Sequence, residues 1–348
     1  MAKAVKDNDS FQELKKELRS KIHRRLYFFY GEETFLLRHY LEILKKQRID
    51  PVTESFNFHR FTQENFDLRS FADSVENLPM MSESTMVQVD EVDPFKLEES
   101  GRNAMVDILT DIPEYCTVVF LYETTPWKPD KRQKKLWEAV SSAGTIVEFE
   151  KQGQKELVAW ITRHFAAGKK RISPDLCTYL MELTGGTMTA LNNEIAKITA
   201  YSGAEEICKA DIDAVVEPVM DAVVFQMTDL LGQGRYGQAL EKLQQLLKMQ
   251  EEPVMILGAI GAHIRRLGAA RTLYDYGKNH QDLAKLYGMS DFAARKTMDT
   301  SRNFSTAFCR ESCMLVMETD RKLKTSFDDP QRLLEMLILQ MAQEARNG

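Results

Sequence analysis

The chain has 348 residues, and at about 150 residues per domain two or three domains are expected rather than one core. Lys and Arg number 46 against 52 Asp and Glu, a formal net charge of −6, which excludes a globally basic nucleic-acid coat protein while leaving room for a local basic face. A hydrophobic share of 43% with 28% charged residues excludes a mainly disordered chain.

Residues 1–22 read as a charged N-terminal extension with Phe11, Leu14 and Leu18 at helical spacing, expected as a frayed helix. The segment lacks the apolar stretch of a secretory signal, so a cytoplasmic location is expected. Leu26 to Tyr30 is an apolar run, followed by Gly31 and a helical stripe of Phe35, Leu36, Tyr40, Leu41 and Leu44. The strand-turn-helix pattern repeats, with Ser55 to Phe61 read as an alternating strand and a helix carrying Phe71, Val75 and Leu78. Met86 to Val89, Thr117 to Tyr122 and Thr145 to Phe149 are further strand candidates, separated by helical stretches at Ala104 to Leu109 and Lys134 to Val140. Five strands alternating with helices predict an α/β domain over 23–152, with a mostly parallel sheet covered on both faces.

Beyond Gly153 the pattern is all helical. Glu156 to Ala167, Ser173 to Leu183 and Met188 to Tyr201 predict a small helical domain over 153–216, with Ser173 as N-cap, Pro174 at the first helical position and Thr184-Gly185-Gly186 as a turn. A helical bundle is expected over 217–348, with helices at Ala239 to Met249, Pro253 to Tyr276, Gln281 to Tyr287, Asp291 to Ser301, Ser305 to Lys324 and Pro330 to Ala345. The apolar run Val254 to Ala262 is about half of what a bilayer needs, so no membrane helix is expected. The five cysteines are scattered without a Cys-x-x-Cys pair, and Cys309 and Cys313 read as a core pair; zinc is not expected. The six histidines show no metal spacing and no partner nucleophile, so no catalytic constellation is expected.

The first strand-to-helix turn is where a phosphate-binding loop would sit. A loop beginning at Gly31 needs Gly, Lys and Ser or Thr where the chain has Leu36, Leu37 and Arg38, and Glu32 and Glu33 would repel phosphate. Without that loop, Asp90-Glu91 at the end of the third strand reads as a solvated acidic turn rather than a Mg²⁺ holder. Lys128, Lys131, Arg132, Lys134 and Lys135 form a basic run beside Trp127, read either as a solvated helix start or as a contact for phosphate or an acidic surface. Lys169, Lys170 and Arg171, with Arg265, Arg266 and Arg271, add basic residues suited to touching a DNA backbone without reading bases. Leu78-Pro79-Met80-Met81-Ser82 carries two methionines at a turn; they either cap the core or form an adaptable apolar tip for another protein's pocket.

Several stretches, in order, carry a family resemblance: Leu26 to Glu33, Leu78 to Ser82, Lys128 to Leu136, Asn192 to Lys197, Asp320 to Thr325 and Leu333 to Leu337. Together they span about 26 to 340, and over that span the chain resembles the delta subunits of bacterial DNA polymerase III clamp loaders. The resemblance implies a fold of a degenerate AAA+ parallel-sheet domain, a small helical lid and a helical collar. It implies a non-ATPase subunit that binds and opens the beta sliding clamp for loading on primed DNA during replication, with no cofactor and no metal. The subunit would belong to a DNA-directed DNA polymerase, a nucleotidyltransferase holoenzyme, without being an enzyme itself. Implied partners are the beta clamp, the gamma/tau ATPase subunits, delta prime and primed DNA through the assembled complex, with no membrane. By position, Leu78, Met80 and Met81 would contact the clamp, where the family often has aromatic or leucine residues. The competing readings are a working AAA+ ATPase, which Leu36-Leu37-Arg38 opposes, and a nucleic-acid-binding adaptor unrelated to clamps.

Overall fold

Five short stretches rich in apolar and β-branched residues become five strands in the computed structural model, which describes residues 7–347. They are β1 Leu26–Tyr30, β2 Phe58–Phe61, β3 Thr85–Asp90, β4 Cys116–Tyr122 and β5 Gly144–Glu148. The order across the sheet is β2-β3-β4-β1-β5, and every pair is parallel. Every residue of β3 and β4 is buried, the signature of inner strands covered on both faces. The register sets Tyr30 beside Tyr122, and Asp90 beside Leu121, so the turns that follow β1, β3 and β4 leave the same end of the sheet.

The chain divides into two compact units, Met1–Lys151 and Gln152–Gly348. In the first, the strands alternate with α1 Asp7–Arg19, α2 Thr34–Arg48, α3 Glu54–Asn57, α4 Leu68–Glu76, α5 Glu99–Thr110 and α6 Lys134–Ala143. Phe28 stacks on Phe120 and on Trp127, and Val87, Val89, Val118, Met105 and Leu109 fill the core around them. Over its described residues, Asp7–Arg19, the N-terminal helix is packed and not frayed; residues 1–6 lie outside the described residues. Leu14 is fully buried, Leu18 is buried, and the Phe11 ring packs edge-on against Tyr40 at 5.2 Å and Phe149 at 5.3 Å.

Two further expectations are corrected in this unit. The stretch 55–61 is not one strand: its first half is the helical turn α3, because the Asn57 side chain is turned inward and hydrogen-bonded. Leu78 does not lie on α4, which stops at Glu76; the residue before a proline is steered out of the helical region, and Pro79 follows Leu78.

The second unit is helical throughout, apart from one isolated bridge between Arg171 and Glu206. It contains α7 Gln154–Ala167, α8 Pro174–Thr184, α9 Met188–Tyr201, α10 Lys209–Val215, α11 Met220–Gly232, α12 Tyr236–Lys248, α13 Pro253–Asp275, α14 His280–Tyr287, α15 Asp291–Ser301, α16 Thr306–Thr325 and α17 Pro330–Asn347. Ser173 caps α8 as expected, its Oγ accepting from the Leu176 N–H at 3.3 Å, and Gly185 and Gly186 turn the chain at φ +73° and +74°. Two helices, α10 and α11, add to those expected. One apolar core runs through α11, α12, α13, α16 and α17, with Val223, Met227, Leu243, Ile260, Leu267, Leu334 and Leu337 at its centre. Cys309 is buried in that core, and Cys313 packs against it half-exposed.

Candidate functional site

The segment between α4 and β3 is short, and its apolar side chains find no place in the core. Leu78 is 74% exposed, Met80 55% and Met81 93%. The backbone beneath them is fixed. Asn57, fully buried at the end of α3, accepts from the Met80 N–H through Oδ1 at 2.8 Å and donates from Nδ2 to the Met80 carbonyl at 2.9 Å. Its Nδ2 also reaches the Thr53 carbonyl at 3.2 Å, so both ends of the amide are satisfied, as a buried amide requires. Met81 then takes φ +52°, a left-handed conformation uncommon away from glycine, which turns its side chain out of the unit. Past the turn, Ser84 Oγ donates to the Arg48 carbonyl, and the Thr85 N–H donates to the Tyr115 carbonyl at 2.9 Å as β3 begins. Val52 and Phe56, on the segment that delivers Asn57, are exposed as well. Five large apolar side chains therefore surface on two segments that Asn57 ties together, a concentration that marks interaction surfaces more often than chance exposure.

The turn after β1 is arranged in the opposite way. Gly31 has φ +133°, and a Cβ there would stand 2.4 Å from the Phe149 carbonyl oxygen, so the backbone of the segment after β5 lies directly on the turn. The Glu33 N–H, which opens α2, donates to that carbonyl at 2.9 Å, and the Phe149 N–H donates to the Tyr30 carbonyl at 2.7 Å. Burial pushes the Glu33 carboxyl above its ordinary pKa, and Glu32 pairs with Lys151 at 3.0 Å. Arg38, at the position where a phosphate loop has its hydroxyl, grips Glu123 with two hydrogen bonds of 2.8 and 2.6 Å.

The acidic pair after β3 is not a solvated turn. Asp90 is buried and accepts from Arg60 Nε at 2.6 Å and Gln88 Nε2 at 2.7 Å. Glu91 collects three backbone donors beyond β4: the N–H groups of Glu123, Thr124 and Thr125, at 2.7, 2.8 and 3.1 Å. Burial alone would raise the Glu91 pKa, but these donors outweigh it and hold the carboxyl below its ordinary value. A cleft of about 290 Å³ nearby is lined by Phe66, Tyr122 and Trp127 with Glu91, Asp93 and Lys96. Its carboxylates are already engaged, Asp93 by the Phe95 N–H and Lys96. Among the described residues no group of three or more His, Cys, Asp or Glu is placed to hold a metal ion.

Lys128, Lys131, Arg132, Lys134 and Lys135 are all exposed, at the start of α6 and in the loop before it. Arg132 folds back on Asp130 with bonds of 2.9 and 3.1 Å, and Lys131 lies over the Trp137 ring. Most of the more distant basic residues are spoken for within the chain. Lys170 donates to the Ser202 and Ala204 carbonyls, Arg171 pairs with Glu205, Arg266 with Asp221 and Arg271 with Asp275. Among the described residues, no helix is long and apolar enough to cross a membrane. The sequence pointed to the methionines; it did not point to Asn57, whose position inside an alternating apolar run gave no sign that its amide faces inward.

Two family profiles match the chain. One, DNA polymerase III, delta subunit, covers residues 27–150; the other, DNA polymerase III delta subunit, C-terminal domain, covers residues 221–341. DNA polymerase III subunit delta of Bacillus subtilis (strain 168) is 25% identical over 325 residues, 91% of this chain and 92% of that protein. The probable DNA polymerase III subunit delta of Aquifex aeolicus (strain VF5) is 21% identical over 317 residues, 89% of each. Among solved structures, the Bacillus subtilis DNA clamp loader delta protein superposes with a TM-score of 0.73 at 24% identity, covering 96% of this chain and 99% of that one, a likeness of fold.

Proposed function

The chain belongs to the DNA polymerase III delta-subunit family, and on that premise we propose that it is the non-ATPase clamp-loader subunit that binds the beta sliding clamp and helps to open it for loading on primed DNA. The observation that carries the reading is the exposed Leu78, Met80 and Met81 on a backbone that its own fold holds in place. Unbranched methionine adjusts to the shape of a receiving pocket, which suits a contact that must engage and release. The filled turn at Gly31 supports a subunit that leaves nucleotide hydrolysis to its neighbours, the gamma/tau ATPases, with delta prime as a further partner. In this reading residues 153–216 serve as the lid and 217–348 as the collar that joins the other subunits in the cytoplasm. The exposed Lys128, Lys131, Arg132, Lys134 and Lys135 touch DNA phosphates or an acidic neighbour in the assembled loader. The polymerase chemistry belongs to the holoenzyme as a whole.

The test is binding of the full-length chain to an immobilised sliding clamp. Replacing Met80 and Met81 together by Ala should weaken binding at least ~30-fold, the scale of losing an apolar anchor at an interface centre, with the melting curve unchanged. Clamp binding at the wild-type level by that variant removes the tip from the interface. Micromolar, Mg²⁺-dependent ATP binding by the isolated chain in calorimetry would overturn the non-ATPase part.

A further inference from the structure

We propose that Asn57 is a positioning residue for the clamp contact: its buried amide holds the Met80 backbone, and so presents the apolar tip in its binding geometry before the partner arrives. The proposal rests on the assignment of Met80 and Met81 as the clamp-contacting pair.

The planar amide of Asn57 offers one acceptor and one donor side by side, and residue 80 presents a matching N–H and C=O. The two bonds, 2.8 and 2.9 Å, close a ring like the one a neighbouring strand would make, across 23 positions of sequence. No strand runs there, because the chain is turning, so the side chain stands in for one. The remaining Nδ2 hydrogen is taken by the Thr53 carbonyl one helical turn back, which fixes the amide's rotation. Asn57 is fully buried while the side chains it supports are 55% and 93% exposed, so the rigid element lies under the tip and leaves the apolar surface free.

An exposed apolar turn with no such support would sample many conformations, and its apparent affinity would fall in proportion to the fraction of time spent in the competent one. Holding the backbone in advance removes most of that loss, together with the ordering cost of binding. The left-handed Met81 supports the same view, since a strained backbone persists only where its surroundings impose it. The imposing contacts here are those of Asn57 on one side and of Ser84 on the other.

The experiment is a double-mutant cycle in clamp affinity on the full-length chain, combining Asn57→Ala with the Met80/Met81 alanine pair. Loss of the held state for nine-tenths of the time corresponds to a drop of about tenfold, and we expect at least that for Asn57→Ala in the Met background. In the alanine-pair background the same change should cost little further, because the two side chains whose backbone Asn57 holds are gone. Amide exchange at Met80 should accelerate while Val87 and Val89 on β3 stay protected. Asn57→Asp keeps the shape but loses both donors, and serves if the alanine variant does not fold. Its deficit relative to wild type should shrink as pH falls and the carboxyl regains an O–H donor. Normal clamp binding by both Asn57 variants, alongside a crippled Met pair, overturns the positioning role and leaves the tip assignment standing. An equal loss in both backgrounds also overturns it, by showing a general structural effect. Normal binding by the alanine pair alone overturns the tip assignment, and this proposal with it.

Discussion

Two turns of the same α/β unit are built on opposite principles. After β1, the chain closes the turn on itself: Gly31 lies against the Phe149 backbone, the Glu33 N–H just before α2 is taken by the Phe149 carbonyl, and Arg38 is held by Glu123. After α4, the backbone is just as firmly held, by Asn57, yet the side chains of Leu78, Met80 and Met81 are left outside. In the first turn the Glu33 N–H and the Arg38 guanidinium, both of which could meet a ligand, are consumed internally. In the second, only main-chain groups are consumed, and the apolar surface stays available. Both turns are held, so what distinguishes them is what each leaves unspent for another molecule.

Gly31→Ala should break the contrast most severely. A Cβ would meet the Phe149 carbonyl at 2.4 Å from a backbone at φ +133°, a combination of overpacking and strain that costs ~3 kcal/mol or more. Chemical denaturation of this variant beside the Met80/Met81 alanine pair should show a large loss for the first and a change within about 0.5 kcal/mol for the second. Comparable losses would mean that the tip is as structural as the turn. Phe11→Ala comes next, because that ring backs Phe149 from the N-terminal helix; truncating a buried phenylalanine costs about 3 kcal/mol, and a stability change near zero would show that α1 does not seal this turn.

A third measurement extends the comparison, by pH, to the acidic turn after β3, whose carboxylate is likewise spent inside the fold. Glu91 has a folded pKa held below its unfolded value near 4.5 by backbone donors beyond β4. It therefore contributes stability that is fully present above that value and is lost as pH falls through the folded pKa. Glu91→Gln should lower the melting temperature at neutral pH and flatten its decline on acidification below about pH 4.5. An unchanged acid slope would mean that those donors do not favour the ionised form. The smallest effect is expected at the basic run: reversing Lys131 and Arg132 to Glu should move the melting temperature by no more than about 1 °C, because exposed charges contribute little to stability. A larger fall would make the run part of the fold and not of a contact surface.

The strands were legible because β1 and β4 are almost wholly apolar and Met86 to Val89 in β3 is rich in apolar and β-branched residues, whereas the end of α4 was placed too late, at Leu78, although Pro79 follows it. What escaped was of three kinds. Helix α10 is only seven residues long, too short for a stripe to register, and α11 is apolar around most of its surface, so it shows no polar face to set a period. The packing of α1 depends on Phe149, more than a hundred positions away, and a charged segment gives no sign that its few apolar residues have such a partner. At the tip, the sequence singled out the methionines but left open whether they cap the core or face solvent, and only the structure shows them exposed. Asn57 could not be singled out, because a side chain that imitates a strand leaves no trace in hydrophobic spacing.

The hydrogen bonds from Asn57 to residue 80 go to its main-chain atoms alone. The holder is therefore indifferent to what it holds: a leucine or a phenylalanine at position 80 would be gripped by the same two bonds as methionine. Holder and bit are separable, so a change in the partner's pocket can be answered by exchanging one or two exposed residues, without disturbing the sheet behind them. Surfaces made this way can diverge quickly while the scaffold stays constant, and a grafted tip should fit an existing socket.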